Sequence, residues 1–448
     1  MKDLTQGSIV SHISVMAPQI FAGMILMMLC GLIDLYFVAG LGDAAIAGVS
    51  AAGNAGFLIN ALTQILSVGA VSLISQAVGR KDQADANLVF NQSLGLTAVA
   101  TLLTLIAGCM LARGYMRAVA SDDAVIEAGT TYLLWFMPVL ALQFVVLVMG
   151  AALRGTGIVR PTVIVQITTV IINMLLAPVL ISGWGTGVAL GVAGAGLAST
   201  IAVVIGVAMM WIYFHRYEHY VAIDSALWRP RMAQWKRILG IGLPAGGEFA
   251  IIFLNMAVIY YALGHFGAAA QAGFSIGSRL LGLIHMPGIS IALAAGAIAG
   301  QNFGAGNSAR VRRTFRTVLL LVTAVMVGFT IPAQWLPEFF VAGFTQDAET
   351  LAVGVLFLRM VSLNNVAQGV NFVCSSMFQG LGNTRPVLVS SGTRLLTNTL
   401  PLIFLSAVPG FRIEHAWYLS IATTTLQACL SLWLLRLEFR KRLRPRAG

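Results

Sequence analysis

The chain has 448 residues, of which 58% are hydrophobic and only 10% are charged, and its mean hydropathy is +0.87. A soluble domain carries about 25% charged residues, so this composition excludes the soluble classes and indicates an integral membrane protein. The formal net charge of +11 would suit a nucleic-acid-binding protein, but the basic residues cluster in short loops between apolar runs.

The apolar runs are about 20 to 28 residues long, and each can cross roughly 30 Å of hydrocarbon as a helix. They lack the two-residue alternation of a transmembrane barrel. The first run is longer than the core of a cleavable signal peptide, so we expect it to remain as a helix. The twelve predicted spans lie near residues 13–38, 45–75, 88–112, 127–153, 161–182, 191–214, 238–263, 270–300, 314–334, 351–378, 386–406 and 416–435.

Two halves of the chain repeat one pattern. Seven pairs of identical residues are separated by 225 positions, among them Asn173 and Asn398. Such a duplication typically places a transporter's substrate site between the halves. We predict an all-α integral membrane fold with twelve transmembrane helices in two six-helix repeats. The predicted domains are an N-terminal lobe at 1–214, an inter-lobe linker at 215–237, a C-terminal lobe at 238–435 and a basic tail at 436–448.

The basic residues alternate from loop to loop. If the amino terminus is cytoplasmic, 21 of the 27 lysines and arginines lie in cytoplasmic segments, and three, Arg113, Arg117 and Arg412, lie outside. This asymmetry predicts a multi-pass protein of the cell inner membrane with both termini in the cytoplasm. The expected partners of the basic loops are anionic membrane lipids, and no nucleic acid is expected.

Motifs for other functions are missing from the sequence. It has no G-x-x-x-x-G-K-[ST] segment for ATP, and its four cysteines show no disulfide or zinc spacing, so we expect no metal and no cofactor beyond a coupling ion. Residues 194–198 superficially resemble a dinucleotide loop, but they follow a helix-length apolar run, and small residues there suit helix contacts. No nucleophile with a base and an orienting group is evident, so no enzyme is expected.

Two acidic residues, Asp34 and Glu248, interrupt apolar runs. Inserting a charged side chain near the centre of a transmembrane helix costs about 2.5 to 3.5 kcal/mol, so such residues usually have a function. Asp34 lies 16 residues beyond Pro18, or about 24 Å along a helix axis. It is either a titratable group inside the membrane or an acid near the outer headgroups. Pro18 removes a backbone hydrogen bond and offers a hinge in the same helix.

Glu248 follows Pro244, a second candidate hinge, by one helical turn in the seventh span. Two interpretations remain open for this acid. It lines the substrate cavity, or it accepts hydrogen bonds from backbone donors that the proline frees.

The other intramembrane polar residues lie in the second repeat. Arg394 and Asn398 share one face of the eleventh span at i, i+4, and both are candidates to line the cavity. Arg394 is either a structural partner of Glu248 or of a helix carbonyl, or a contact for an anion. Arg279 and Arg359 lie closer to helix ends, where such side chains extend to the headgroups.

Several segments in both repeats resemble the multidrug and toxic compound extrusion (MATE) family. They are Pro18 with residues 33–42 (IDLYFVAGLG), 76–79 (QAVG), 153–157 (LRGTG), 300–307 (GQNFGAGN) and 379–383 (QGLGN). The resemblance implies a V-shaped pair of six-helix lobes that exchange a proton or sodium ion for an organic, often cationic, compound.

The resemblance also assigns residues. The family's first-helix aspartate falls on Asp34, its fifth-helix asparagine on Asn173, and a sixth-helix hydroxyl on Ser199, or on Thr200 after a one-residue slip. The chain departs from the family pattern at Ala177, where some members carry a second acid. It also departs at Glu248, which is closer to the proline than usual, and in the tenth span, which has no acid.

We therefore predict a multidrug exporter that works as an antiporter by alternating access and moves small organic compounds, as a monomer. Asp34 would carry the coupling ion, with Asn173, Tyr36 and Ser199 as polar neighbours. With a single carboxylate in the first lobe, a proton is favoured over sodium. Two alternatives are a lipid-linked saccharide flippase, which the second-repeat arginines would suit, and an intramembrane enzyme.

Overall fold

A computed structural model describes residues 2–406, 408 and 410–443, and all of the regular structure in these residues is helical. Three short 3-10 helices lie at Ser225–Leu227, Gly264–Phe266 and Ser362–Asn364. The α-helices are α1 (Ile9–Ala39), α2 (Asp43–Gly79), α3 (Gln83–Val119), α4 (Asp123–Gly155), α5 (Arg160–Ser182), α6 (Val192–Arg216), α7 (Met232–Leu263), α8 (Ala268–Gly304), α9 (Ser308–Trp335), α10 (Pro337–Ala342), α11 (Ala348–Val361), α12 (Asn365–Gly380), α13 (Arg385–Ser406) and α14 (Ile413–Arg442).

The helix boundaries confirm the duplication. Helix α8 begins and ends 225 positions after α2, and α9 and α13 begin 225 positions after α3 and α5. The counterpart of α4 is interrupted, because α11 and α12 are joined through the 3-10 turn at Ser362–Asn364. The all-α fold with two copies of one helical unit was therefore predicted correctly.

Eleven segments within the described residues are long and apolar enough to span a membrane, with α11 and α12 forming one of them. The remaining predicted span is α13, which has 22 residues and so measures about 33 Å. It carries Arg394 and a run of Ser, Thr and Asn residues, which lowers its hydropathy.

Polar side chains cap the starts of helices at equivalent positions of the two repeats. Asp82 accepts a hydrogen bond from the Asp85 N–H at the start of α3, and Asn307 does so from the Arg310 N–H at α9. Asp122 caps α4, and Asp347, 225 positions later, caps α11. These side chains satisfy backbone donors that the first helical turn leaves free.

The chain forms two compact units. Unit 1 contains residues 2–3 and 19–242, and unit 2 contains residues 4–18 and 243–443 of the part that the structure describes. The initial part of α1 therefore packs with unit 2, and the initial part of α7 packs with unit 1. Each unit has its own apolar core. In unit 2 the core includes Trp417, whose ring stacks on Phe274 and meets Phe357 edge-on.

Glycines permit close helix packing inside unit 1. A Cβ on Gly194 would meet the backbone oxygen of Leu180, and one on Gly196 would lie 2.8 Å from the Trp135 Cβ. A Cβ on Gly242 would meet the backbone oxygen of Ile65. The segment at 194–198 is thus a helix-packing surface in α6, as expected from its small residues.

The segment between α6 and α7 is tied to α3 by side-chain amides. Buried Asn91 donates to the Ala222 oxygen and accepts from the Asp224 N–H, and buried Gln92 donates to the Leu227 and Arg229 oxygens. This linker is therefore ordered within unit 1. At the other end of the chain, α14 continues to Arg442, and residues 444–448 of the predicted basic tail lie outside the described residues.

Candidate ion-coupling site

Three polar side chains meet inside unit 1. Ser199 of α6 donates from its hydroxyl to Asp34 Oδ2 at 2.8 Å, and Asn173 of α5 donates from Nδ2 to Asp34 Oδ1 at 3.1 Å. The Asn173 Nδ2 also lies 2.8 Å from the Ser199 hydroxyl oxygen. All three residues are buried, with exposures of 5% for Asp34, 0% for Asn173 and 3% for Ser199. A carboxylate, an amide and a hydroxyl thus form one closed cluster.

The charge of Asp34 has no basic partner among the described residues, since its two hydrogen bonds come from neutral donors and it forms no ion pair. A buried carboxylate without a counter-charge is unfavourable when ionised, and hydrogen bonds offset part of that penalty. Ala177, at the position of a possible second acid, is fully buried. The cluster therefore contains one carboxylate and can change its charge by one proton.

One atom of the cluster lacks a hydrogen-bond partner. The Asn173 side-chain oxygen is buried and accepts no hydrogen bond from the described residues. Such an atom is unusual in a protein interior, where nearly all buried polar atoms are paired. An unused acceptor beside a carboxylate is significant because a protonated carboxyl group becomes a donor.

Two other predicted neighbours lie elsewhere. Tyr36 is 76% exposed and packs edge-on against Phe37. It lies two residues beyond Asp34, about 200° around the helix, so it points away from the cluster. Thr200 donates to the Trp135 backbone oxygen, which leaves Ser199 as the hydroxyl of the site. Sequence reasoning missed Tyr132, a buried residue of the apolar core that also contains Val38 and Ala177.

The equivalent positions of unit 2 carry no charge. The positions 225 residues after Asp34, Asn173 and Ser199 are occupied by Ile259, Asn398 and Thr424. Asn398 donates from Nδ2 to the Asn255 side-chain oxygen at 2.8 Å, and Thr424 donates to the backbone of its own helix. The amide and the hydroxyl are thus kept in the second repeat, and the carboxylate is not.

Glu248 of α7 accepts a hydrogen bond from the Ser375 hydroxyl at 3.2 Å, and Gln379 Nε2 lies 3.4 Å from the same hydroxyl. None of the hydrogen bonds that the structure gives Glu248 comes from the α7 backbone, so the interpretation as a partner for proline-freed donors gains no support. Ser375 and Gln379 lie at i, i+4 on α12, on the face that also carries Gln368 and Asn371. That polar stripe is recognisable in the sequence from its i, i+3, i+7 and i+11 spacing.

Arg394 of α13 bonds to neutral amides. Its Nη1 donates to Gln368 Oε1 at 3.2 Å and to Gln427 Oε1 at 3.4 Å. Its Nε is buried without a partner, and it forms no ion pair with Glu248 or with any other described carboxylate. The interpretation of Arg394 as the structural partner of Glu248 does not hold in this structure. Arg279 and Arg359 are exposed, in agreement with their positions near helix ends.

The two candidate hinge prolines lie at the unit boundaries. Helix α1 runs without interruption through Pro18, and the change from unit 2 to unit 1 falls between residues 18 and 19. Helix α7 runs through Pro244, and the change from unit 1 to unit 2 falls between residues 242 and 243. Both prolines thus occur where a continuous helix changes its packing partners, which is where a missing backbone hydrogen bond permits bending.

A duplicated bundle of apolar helices with a buried ionisable cluster defines the class of multi-pass membrane transporters. The MatE family model matches residues 20–179 and 244–404, one block in each repeat. The chain belongs to the multidrug and toxic compound extrusion (MATE) family.

Curated relatives agree with this assignment, and a solved structure has the same fold. The chain is similar to the probable multidrug resistance protein NorM of Thermotoga maritima, with 26% identity over 91% of this chain and 88% of that protein. It is similar to the multidrug export protein MepA of Staphylococcus aureus, with 24% identity over 92% and 91%. The structure of a MOP superfamily transporter from Pyrococcus furiosus superposes with a TM-score of 0.91 at 20% identity, covering 99% and 98% of the two chains. This last similarity concerns the fold alone.

Proposed function

We propose that the protein is a secondary active exporter that moves small organic, often cationic, compounds out of the cell in exchange for protons. The observation that carries this proposal is the isolated Asp34 carboxylate, buried in unit 1 and held by Asn173 and Ser199. Relatives named as multidrug resistance and export proteins support the substrate class. We place the protein in the cell inner membrane with both termini in the cytoplasm, following the distribution of its basic loops.

The hydrogen-bond roles in the cluster suit a proton switch. Ionised Asp34 accepts from the Asn173 amide and the Ser199 hydroxyl. A protonated carboxyl must donate, and the unpaired Asn173 oxygen is an acceptor on the same amide. Rotation of that amide by about 180° would exchange its donor for its acceptor and let Asn173 stabilise either form. Binding of one proton would thereby reverse the direction of the hydrogen bond between Asp34 of α1 and Asn173 of α5.

The coupling to transport would pass along α1. Asp34 lies beyond Pro18 in the same helix, on the part that packs with unit 1. A change in how Asp34 is held alters the preferred packing of that helical segment, and the proline offers a hinge for it. Pro244 offers the corresponding hinge in α7. Alternation between two packings is the behaviour that alternating access requires.

The test is export of a cationic dye by cells that express the protein or its Asp34→Asn variant. The variant keeps the volume of the side chain and removes its charge, so we expect normal insertion and a dye accumulation equal to that of cells without the protein. Asp43→Asn, an exposed acid at the start of α2, is the matched control and should export normally. Full export by Asp34→Asn at equal expression would remove Asp34 from the mechanism.

A further inference from the structure

An open pocket of about 300 Å³ lies at one end of unit 1, away from the Asp34 cluster. Its wall is formed by the end of α6, the first residue of α3, the loop between α4 and α5, and the start of the linker. The lining residues are Gln83, Ile158, Tyr213, Tyr217, Glu218, His219 and Tyr220. This volume is at the lower end of the range of small-molecule pockets, about 300 to 1,000 Å³, and matches a small head group.

The pocket contains a buried acid without a basic partner. Glu218 is only 3% exposed, and its Oε1 accepts a hydrogen bond from the Tyr220 N–H at 3.0 Å. Glu218 lines the pocket, its other oxygen accepts no hydrogen bond from a described residue, and it forms none of the ion pairs in the described structure. Lys, Arg and Glu are almost never this buried unless they are paired. The carboxylate therefore has room for a cationic partner.

Three tyrosines surround this acid. The rings of Tyr213 and Tyr217 are stacked with centroids 5.9 Å apart, and Tyr217 is 67% exposed at the mouth. The hydroxyl of Tyr220 is buried without a partner. Burial, together with the nearby charge of Asp82, raises the pKa of Tyr220, so this ring stays neutral at physiological pH. Aromatic faces beside a carboxylate are the chemistry that recognises quaternary ammonium groups.

The pocket is held in shape by the surrounding structure. Gln83 Nε2 donates to the His219 and Tyr220 backbone oxygens at 3.0 and 3.3 Å, which fixes the loop to α3. The carbonyl end of α6, with its partial negative charge, also faces this loop. The nearby cations Arg80 and Arg237 are both bound by Asp85, at 2.7 and 2.9 Å. These two guanidinium groups are thus held by Asp85 and form no ion pair with Glu218.

We propose that this pocket, called the tyrosine pocket, binds an organic ammonium group, with Glu218 as the counter-ion and Tyr213, Tyr217 and Tyr220 as its aromatic wall. The ammonium belongs either to a compound on its way to export or to a lipid head group. The first role rests on the function proposed above, because it makes the tyrosine pocket an early contact for cationic substrates. The ammonium chemistry itself is independent of that function.

The experiment is equilibrium dialysis of the full-length protein in detergent with labelled choline. Saturable binding is expected, and 3,3-dimethyl-1-butanol, the neutral carbon analogue of choline, should not compete. Glu218→Gln and Tyr217→Ala should each weaken choline binding roughly fivefold to tenfold, and Tyr217→Trp should preserve it. The controls Glu414→Gln and Tyr418→Ala change an acid and a 63% exposed tyrosine in unit 2 and should leave binding unchanged.

Because Tyr217 is exposed, its substitution tests the tyrosine pocket without a risk to folding. Unchanged choline affinity in Tyr217→Ala and Glu218→Gln, or equal competition by the neutral analogue, would overturn the proposal. Asp34→Asn separates it from the export function: choline binding should persist in that variant even though export is lost. Loss of choline binding in Asp34→Asn would instead place the ammonium site at the Asp34 cluster.

The two sources of the ammonium group are distinguished in lipid nanodiscs. Weaker apparent choline affinity in phosphatidylcholine than in phosphatidylglycerol nanodiscs identifies the lipid head group as an occupant. Equal affinity in both identifies a soluble cation. Either result keeps the ammonium site, and absence of binding in both kinds of nanodisc would contradict it.

Discussion

Units 1 and 2 share one helical plan but distribute their charges differently. At three equivalent positions, unit 1 has a carboxylate, an amide and a hydroxyl, and unit 2 has Ile259 in place of the carboxylate with the amide and hydroxyl retained. Unit 2 instead places charge at Glu248 and Arg394, which are bound only by neutral side chains. The duplication kept the amide and the hydroxyl, and of these three pairs of positions only the one at Asp34 has an acidic residue in unit 1 and none in unit 2.

The largest expected difference between the units concerns Asp34 and Arg394. Asp34→Asn should reduce proton-driven export to background while changing the free energy of unfolding by less than about 1 kcal/mol, because an amide oxygen can still accept from Ser199. Arg394→Met should do the opposite. It removes the donor to the Gln368 and Gln427 oxygens, which lowers stability by about 1 to 3 kcal/mol, but the pH dependence of export should remain.

Export assays at several external pH values and melting curves in detergent check these two opposite expectations. Loss of pH dependence in Arg394→Met at normal expression would show that unit 2 takes part in proton coupling. The distinction between a titratable and a structural unit would then be wrong.

A smaller difference is expected where α7 packs in unit 1. Gly242 lies against the Ile65 backbone oxygen, and the equivalent residue of α1, in unit 2, is the buried Ala17. Gly242→Ala should therefore lower the free energy of unfolding by about 1 to 3 kcal/mol, because backbone cannot move aside as a flexible side chain can. The control is Gly328→Ala in α9, where a Cβ meets no atom within 4 Å. That change should be neutral or stabilising by about 0.5 to 1 kcal/mol, and melting curves that rank the two variants in reverse order would contradict the packing account.

The smallest effect concerns the equivalent helix caps Asp122 and Asp347. Hydrogen bonds from the Thr350 side chain and backbone lower the pKa of Asp347 below its ordinary value. A lowered folded-state pKa contributes stability above the unfolded-state pKa, and this contribution is lost as the pH falls through the folded-state value. Asp347→Asn should thus lower the melting temperature slightly at neutral pH, with the difference shrinking as the pH falls below the ordinary aspartate pKa of about 4 and vanishing once the folded-state carboxyl is protonated. A difference that grows on acidification would contradict this sign.

Much of this architecture follows from the sequence because membrane insertion and duplication leave strong patterns. Residues 225 positions apart predicted the repeat, and the position of Asp34 in an apolar run marked it as a candidate ion-coupling residue. The pairing of Asp34 with Asn173 rested on the family resemblance, because the two residues are 139 positions apart and no local pattern connects them.

The remaining details depend on tertiary packing. Proximity in sequence makes Tyr36 a predicted neighbour of Asp34, although helical geometry rotates it away from that side chain. The partners of Arg394 are amides on α12 and α14, which a one-dimensional pattern of charge does not reveal. The helix break at Ser362–Asn364 contains no proline or glycine that would predict it from the sequence. The tyrosine pocket is likewise formed by four separate segments of unit 1.

Transport by purified protein in proteoliposomes tests the central claim most directly. A pH gradient imposed without sodium should drive movement of a cationic substrate, and that movement should release protons on the opposite side in the wild-type protein. Asp34→Asn should show neither substrate movement nor proton release, and Asp43→Asn should show both. Transport that needs a sodium gradient, ignores the pH gradient and persists in Asp34→Asn would contradict proton coupling through the Asp34 cluster.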